Sequence, residues 1–427
     1  MKYLWHIYVI GISCLFSCAN NVADIQDGVI VFDSRKEYPV LDLKLSELAE
    51  VSFVKIKGED SVNFLTHAYD LPENIYVDNN RIIIGDCLPN KDIEPKNDHI
   101  IYLFDETGDF IRSFGRSSRN PYDWQSSTRL LYDSLKEEVI THQISYFGNI
   151  LERYDIHGNH LSTDTLDNPY RNSICIDRKI ILQNIYTKYA VVGKISGTGG
   201  KSINVYDIDS KSYESVEPYP HEQTILELES SAPHALYASE KGIYVTDNRS
   251  DIVYLFDKDY KFLPKFKSVR EPKYRNNPEI QNLLYPLIET EEYILFCNNM
   301  DFKSQTAHRF KYGNYIFMKG ENKIYQLQDL GYIDYDFDKH IDIVMYEDYL
   351  LKDEIAFSNQ MKTLNSDILV CAIEPSYLNE NFDTLPLELK NLSENISSDD
   401  NPVLMIMKFG KPIMQIKQDI IQATVLL

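Results

Sequence analysis

A short hairpin pattern returns about every fifty residues along this chain, and it constrains the fold more than any other feature. In each copy, apolar residues lead to an aromatic side chain and then to an aspartate that opens a tight turn. The aspartates are Asp105, Asp155, Asp207 and Asp257, at spacings of 50, 52 and 50 residues. Strand-rich units with this period are typical of propeller blades, because a sheet with two apolar faces buries both only between neighbouring copies.

The turn residues agree with a hairpin in the first two copies. Gly108 and Gly158 stand where a loop of three or four residues needs a positive φ, and the aspartate accepts hydrogen bonds from the turn backbone. Copies three and four carry Ser210 and Tyr260 at this position. We therefore expect the last two turns to differ in geometry or to be strained.

Strand patterns continue through the rest of the chain. They comprise the runs "YILFCNN", "NYIFMKG", "NKIYQL", "GYIDYDF", "DILVCAI" and "PVLMIMKFG". The sequence predicts an all-β, six-bladed β-propeller of four-stranded antiparallel blades with about 50 residues per repeat, and seven blades are the alternative. The N-terminal strand "GVIVF" (28–32) is expected to complete the last sheet and close the ring, which removes exposed strand edges.

The N-terminus has the features of an export signal. The apolar run that follows Met1 and Lys2 is shorter than the roughly 20 residues that span a bilayer. It ends in Leu15-Phe16-Ser17-Cys18, which resembles a bacterial lipobox with Cys18 as the acylated residue. The alternative is an ordinary signal peptide with an incidental cysteine. Ala19 follows Cys18 where an aspartate would favour the inner membrane, so the outer membrane of the cell envelope is predicted.

This interpretation divides the chain into three parts. Residues 1–17 form the signal peptide, residues 18–28 a polar tether and residues 29–427 the propeller domain. The formal net charge of −22 repels phosphate backbones, so no nucleic-acid partner is predicted.

Four further cysteines follow the lipobox. Cys87, Cys175, Cys297 and Cys371 are far apart, and no Cys-x-x-Cys pair indicates a zinc or redox site. Each lies in or beside an apolar run, which predicts buried free thiols. Oxidation of one pair in an exported protein is the alternative, and the sequence does not select that pair.

The chain resembles the six-bladed β-propeller lipoproteins of Bacteroidetes, a distantly NHL-like family mostly of unknown function. The stretches "LKLSELAEVSFVKIKG", "IYLFDETGDFIRSFGR", "GYIDYDFD" and "DDNPVLMIMKFG" carry this resemblance, together with the lipobox. The resemblance implies export and a propeller, and it implies no established reaction. Where such proteins show a Gly-Pro-Gly-Glu-Tyr-like loop after the blade's Gly-Arg, this chain has "SSRNPYDW".

The best candidate for a binding surface is the loop "GRSSRNPYDWQ" (115–125). In an acidic chain it brings Arg116 and Arg119 close to Tyr122 and Trp124. Guanidinium groups beside an aromatic platform suit sugars, carboxylates or an acidic peptide. The alternative is a structural inter-blade loop whose arginines pair with nearby acids.

Other polar motifs are weaker. His157 and His160 flank the second turn and would serve a metal only if histidines of several blades converged on the central channel. The alternating acids Asp334, Asp336, Asp338 and Asp342, with His340 among them, are typical of a solvated strand face, with a weak cation site as the alternative. The run 193–202, "GKISGTGGKS", has Ile195 where a phosphate loop requires its first glycine.

The sequence therefore favours a non-enzymatic, outer-membrane-anchored module that binds a carbohydrate, a peptide or an envelope protein. No catalytic residue and no cofactor are predicted. A metal-dependent lyase or hydrolase with a channel-centred site is one alternative, because propeller active sites are assembled from distant loops. A structural envelope component is the other.

Overall fold

The structure is a computed structural model of the chain. It describes residues 24–41, 43, 45–57, 74–78, 80–85, 101–115, 127–145, 148–166, 170–184, 203–220, 234–239, 241–247, 250–269, 280–303, 308–327, 332–334, 345–346, 349–350, 367–373, 375–380, 382–385, 387–397 and 400–410.

The chain forms an all-β, six-bladed propeller. An N-terminal segment comes before the first blade and contains β1 (Asp24–Gln26), β2 (Val29–Asp33), β3 (Val40–Leu41), helix α1 (Leu45–Leu48) and β4 (Ala49–Lys55). Blade 1 contains β5 (Ile75–Val77), β6 (Arg81–Gly85), β7 (Ile101–Asp105) and β8 (Phe110–Phe114). Blade 2 contains β9 (Ser127–Asp133), β10 (Glu138–Ser145), β11 (Gly148–Asp155) and β12 (His160–Leu166). Blade 3 contains β13 (Tyr170–Ile176), β14 (Lys179–Asn184), β15 (Ile203–Asp207) and β16 (Ser212–Glu214).

The second half of the ring continues the pattern. Blade 4 contains β17 (His234–Ser239), β18 (Gly242–Asp247), β19 (Ile252–Asp257) and β20 (Phe262–Val269). Blade 5 contains β21 (Ile280–Glu289), β22 (Tyr293–Lys303), β23 (His308–Met318) and β24 (Lys323–Leu327), and β25 (Tyr332–Asp334) pairs with β23. A small hairpin, β26 (Met345–Tyr346) and β27 (Tyr349–Leu350), follows. Blade 6 contains β28 (Ile368–Ile373) and β29 (Val403–Phe409), with α2 (Pro375–Glu380), a 3₁₀ turn (Phe382–Thr384) and α3 (Leu387–Ser393) between them.

In blades 1 to 5 the first strand is innermost. The first strands β5, β9, β13, β17 and β21 contact one another from blade to blade, which places them around the central axis. Each later strand pairs with the one before it, so the fourth strand lies at the rim. The predicted fold class is confirmed.

The repeating aspartate ends the third strand of blades 1 to 4, as its spacing predicts. The Oδ1 atom of Asp105 accepts hydrogen bonds from the backbone nitrogens of Thr107 and Asp109, each at 2.9 Å. Asp155 and Asp257 accept the equivalent pairs of bonds in their own turns. A single carboxylate thereby satisfies the donors of a four-residue turn and fixes its shape.

The two turns without glycine depart from this geometry in different ways. Tyr260 keeps the position of the glycines and adopts a φ of 61°, which is strained for a bulky side chain. In the third copy the positive φ moves one residue on, to Lys211 at 53°, and Asp207 accepts from the nitrogen of Ser210. The fourth turn is therefore strained and the third differs in geometry, which are the two outcomes predicted for turns that lack the glycine.

The glycine turns also touch the preceding blade. A Cβ on Gly108, whose φ is 83°, would lie 2.2 Å from the carbonyl oxygen of Lys55 in β4. A Cβ on Gly158 would lie 2.9 Å from the Cβ of Phe114 in β8. Glycine is required here because the turn packs against the rim strand of the neighbouring blade.

We expect Gly108→Ala to lower the free energy of unfolding by about 2 kcal/mol or more, because it adds a backbone clash to the strain of a positive φ. Gly28→Ala is the matched control, since Gly28 has a φ of 80° and open space around it. That control should lose only about 1 kcal/mol. Urea unfolding of both variants measures the difference, and equal losses would show that the contact with Lys55 contributes nothing.

The apolar core of the described residues is divided into six clusters, one at each interface between neighbouring blades. Residues of neighbouring blades that belong to the same cluster include Ile83 and Leu130, Ile140 and Cys175, Val205 and Leu236, Tyr244 and Phe296, Ile316 and Met405, and Leu404 and Ile84. The last pair joins blade 6 to blade 1 and closes the ring.

The N-terminal segment runs along the outside of three blades. β2 pairs in parallel with β20 at the rim of blade 4, β3 pairs in parallel with β24 of blade 5, and β4 pairs with β29 in blade 6. The strand that completes the last sheet is therefore β4. The prediction that "GVIVF" (28–32) closes the ring is wrong, because an apolar strand pattern does not specify which of several open edges it covers. Asp24–Gln26, within the predicted tether, forms β1 against β2.

The cysteines are partly described. Cys175 is a buried free thiol, as predicted, and burial raises its pKa. Cys297 lies half-buried on β22, Cys371 lies on β28, and Cys87 lies outside the described residues. Among the helices that the structure describes, none is long and apolar enough to cross a membrane.

Candidate functional site

The two faces of the ring differ in their connections. One face, here the turn face, carries the links from first to second and from third to fourth strand, and in blades 1 to 5 those that lie within the described part are two to four residues long. The opposite face, here the loop face, carries the links from second to third strand and from blade to blade. Long connections leave from the loop face at residues 86–100, 116–126, 185–202, 221–233 and 270–279.

The strands on either side of the predicted binding loop are described. The loop joins the end of β8 to the start of β9, and both of these strand ends lie on the loop face. Gly115, with a φ of 78°, follows the buried Phe114. Arg116, Arg119, Tyr122 and Trp124 lie outside the described residues.

A buried polar cluster lies between blades 2 and 3, next to the strand into which this loop leads. His142 on β10 is completely buried, and its Nδ1 lies 2.8 Å from the Oγ of Ser173 on β13. Arg129 on β9 is directly opposite His142 in the register of the sheet. Asn204 on β15 is also buried. Ser173 and Asn204 both pair with Leu182, one from each side, so the two side chains lie on the same face of the sheet.

The environment of His142 keeps its ring neutral. Burial lowers the pKa of His142 to about 3, and the positive charge of Arg129 adds to this effect, while a hydrogen bond with Asn149 opposes it. A neutral imidazole supplies one donor and one acceptor, so the cluster is suited to holding polar groups in place and not to a charge switch near neutral pH.

His142 is not among the candidate residues predicted from the sequence. The run "EVITHQIS" alternates, so His142 falls on the same face as the apolar Ile140. That alternation was the available signal that the side chain points into the sheet packing.

On the turn face, ion pairs join neighbouring blades. Arg178, in the turn between β13 and β14, contacts Asp133 and lies 2.9 Å from Glu138, both of blade 2. It also lies 2.6 Å from Asp209 of its own blade. Arg153 lies 2.6 Å from Glu138 and completes the group.

Similar pairs recur around the ring. They cross the interfaces between blades at Arg81–Glu137 (2.5 Å), Lys258–Asp177 (3.6 Å), Lys241–Glu289 (3.2 Å) and Lys57–Asp109 (2.7 Å). The charged groups of these pairs are thus satisfied within the protein. The turn face is built for holding the blades together.

One crevice opens on the turn face between blades 3 and 4, with an empty volume of about 400 Å³ that includes solvent at its mouth. Tyr260 lines it beside Lys258, Asp177 and Lys179. These charged groups already pair, Lys258 with Asp177 and Lys179 with Asp207 and Glu214. The crevice therefore offers no converging unpaired charge to a ligand.

The predicted histidine pair does not face the channel. His157 and His160 are exposed at the hairpin between the third and fourth strands of blade 2, on the turn face. The described ranges contain no group of three or more His, Cys, Asp or Glu side chains arranged to hold a metal ion.

Most residues of the remaining motifs lie outside the described part of the chain. Asp334 ends β25, whereas Asp336, Asp338, His340 and Asp342 lie outside the described residues, as does the run 193–202.

Comparison with known proteins supports the fold. A Bacteroides fragilis NCTC 9343 protein described as exported is 14% identical, with a TM-score of 0.55 over 90% of this chain and 100% of its own. A Bacteroides thetaiotaomicron VPI-5482 protein of unknown function is 8% identical, with a TM-score of 0.40 over 84% and 76%. BamB from Moraxella catarrhalis is 10% identical, with a TM-score of 0.39 over 85% and 100%.

The first likeness shows the fold alone, and the other two are too distant to carry an argument. No protein-family model matches the chain, and no curated protein matches it in sequence.

Proposed function

We propose that this protein is an envelope lipoprotein, anchored through Cys18, whose loop face binds a ligand or a partner protein. The observation that carries the proposal is the asymmetry of the two faces. Short turns and inter-blade ion pairs occupy the turn face, while the long connections leave from the other face. Binding residues are commonly found on long loops held by a rigid scaffold.

The chemistry of residues 115–125 indicates what such a face would bind. Arg116 and Arg119 supply directed positive charge in a chain of net charge −22, and Tyr122 and Trp124 supply rigid contact area. A carboxylate-bearing partner, such as an acidic sugar or peptide, matches this combination. His157 and His160 do not support the alternative of a metal-dependent enzyme, because both lie on an outer hairpin of the turn face.

We expect the triple variant Arg116→Ala, Arg119→Ala, Trp124→Ala to weaken partner binding by about 2 kcal/mol or more, roughly a thirtyfold rise in Kd. Its free energy of unfolding should change by no more than about 0.5 kcal/mol, since exposed substitutions are usually mild. Cross-linking in intact cells identifies the partner of the wild-type protein, and calorimetry with that purified partner then measures the affinity.

The matched control removes positive charge from the turn face. Lys136 and Lys258 have side chains 53% and 64% exposed, and the double alanine variant should bind the partner normally. A large fall in melting temperature with unchanged affinity in the triple variant would mean that the loop is structural.

A further inference from the structure

The direction in which the N-terminal segment enters the fold is set by β20, the rim strand of blade 4. β20 begins at Phe262, directly after the turn at 257–261, so it runs from the turn face to the loop face. β2 pairs with it in parallel, with Ile30 opposite Phe266 and Asp33 opposite Val269. β2 therefore also runs towards the loop face.

β1 reverses this direction. It is antiparallel to β2, with Asp24 opposite Val31 and Gln26 opposite Val29. The two residues between the strands, Asp27 and Gly28, have φ values of 52° and 80°, as a tight two-residue hairpin requires. The chain that precedes Asp24 consequently reaches β1 from the loop-face side.

Burial holds this hairpin in place. Phe32 is completely buried, and its ring centroid lies 5.4 Å from that of Tyr38 and 4.7 Å from that of Tyr315 in blade 5. Ile30 is buried in the same apolar cluster. Asp33 is paired with Arg35 at 2.6 Å. β2, with which β1 pairs, is therefore held by the core.

The chain available between this point and the predicted anchor is short. Five residues lie between Cys18 and Asp24, and the six residue-to-residue steps from one to the other span at most about 21 Å when fully extended. The eight residues of β20 alone span about 26 Å. An anchor with so little reach restricts the orientation of the whole propeller.

Resting on the acylation of Cys18 in the proposed function, we propose that the loop-face rim of blade 4 lies against the lipid headgroups of the bilayer. The turn face then points away from the membrane, and a partner bound at the loop face is itself membrane-proximal. The surface in contact is made by residues 24–41 and the outer side of β20.

The charge of this rim fits the assignment. Residues 24–41 carry Asp24, Asp27, Asp33 and Glu37 against Arg35 and Lys36, and β20 adds Lys265 and Lys267. The rim is thus balanced within a chain of net charge −22. Anionic headgroups repel it less than they repel the rest of the molecule.

Headgroup cross-linking tests the orientation. The acylated full-length protein is placed in vesicles of phosphatidylethanolamine and phosphatidylglycerol that contain a phosphatidylethanolamine with a diazirine on its headgroup. After illumination, peptides from residues 24–41 should carry lipid at least tenfold more often than peptides from the turn at 133–138 of blade 2. Yields are normalised to labelling by a water-soluble diazirine. Equal yields, or an excess at 133–138, would overturn the orientation.

Two variants separate this inference from the anchor itself. A 30-residue Gly/Ser insertion after Ala23 lengthens the tether well beyond the blade height. It should make the lipid labelling of residues 24–41 and of residues 133–138 equal. If it leaves the pattern unchanged, the short tether does not set the orientation. Cys18→Ala should abolish vesicle binding and all cross-links. If the wild-type protein does not bind vesicles, both the proposed anchor and the proposed orientation are wrong. If it binds but both peptides are labelled equally, only the orientation is wrong.

Discussion

Arg178→Met is expected to lower the free energy of unfolding by about 3 kcal/mol, the largest loss that we predict for a single side chain. The Arg178 side chain is 9% exposed, and those of Asp133 and Glu138 are 1% and 9% exposed. Methionine keeps an unbranched stem like the methylene part of arginine, so the variant removes the guanidinium with its charge and its hydrogen bonds. Arg153 remains beside Glu138, whereas Asp133 keeps no cation among its described partners.

Two further variants make this result specific, each measured by urea unfolding. Adding Asp133→Asn to Arg178→Met removes the buried charge and should recover part of the loss. Lys136→Ala is the matched control, because its pair with Asp209 at 3.5 Å joins two side chains that are more than half exposed. Such a surface pair should contribute no more than about 0.5 kcal/mol. Equal losses in Arg178→Met and Lys136→Ala would show that burial does not strengthen the inter-blade pairs.

The pH dependence of stability gives a second readout of the same group. Burial raises the pKa of Glu138, but hydrogen bonds from Arg178 and Arg153 outweigh it, and the net pKa is lowered from 4.5. A carboxyl with a lowered folded-state pKa stabilises the protein above its unfolded pKa, and this stabilisation is lost as the pH falls through the folded pKa. The stability gap between wild type and Arg178→Met should therefore narrow below about pH 4.5.

The blade pattern was predictable from the sequence because its signals are local. Asp105 and its counterparts end a strand and satisfy a turn within four residues, so the spacing of these aspartates shows the period of the fold directly. The strained Tyr260 was predictable for the same reason, since a turn that needs a positive φ is recognised from its neighbours.

The partners of other residues depend on blade-to-blade packing and were not predictable. Arg178 reads as an ordinary turn residue in "IDRK", and its partners Asp133 and Glu138 come about forty residues earlier. Nothing local distinguishes β2 from β4 as the closing strand, because both are short strands that bury apolar residues and the choice depends on which rim each meets. The residue types between Arg116 and Trp124 indicate from the sequence alone what this loop could bind. That its two ends lie on the loop face is known only from the strands β8 and β9.

Cys18→Ala is expected to remove the protein from the membrane fraction almost completely. Several acyl chains on one residue provide stable anchoring, and the described part of the chain contains no helix that could replace them as a membrane span. Residues 24–41 and β20 together offer only a charge-balanced rim, which is too weak to hold the propeller on a bilayer by itself. Fractionation of cells fed with labelled fatty acid measures both acylation and membrane retention.

The control for this result is Cys14→Ala, because Cys14 has Gly11 where a lipobox needs an aliphatic residue. That variant should be acylated and retained like wild type. The Cys18→Ala protein should still fold, since Cys18 precedes the first described strand, and its melting temperature in detergent should equal that of wild type. Membrane retention of Cys18→Ala, or a wild-type protein without label, would refute the anchor. The remaining apolar surface of the rim would then have to be tested as a docking site in its own right, beginning with Ile25, which is 40% exposed on β1.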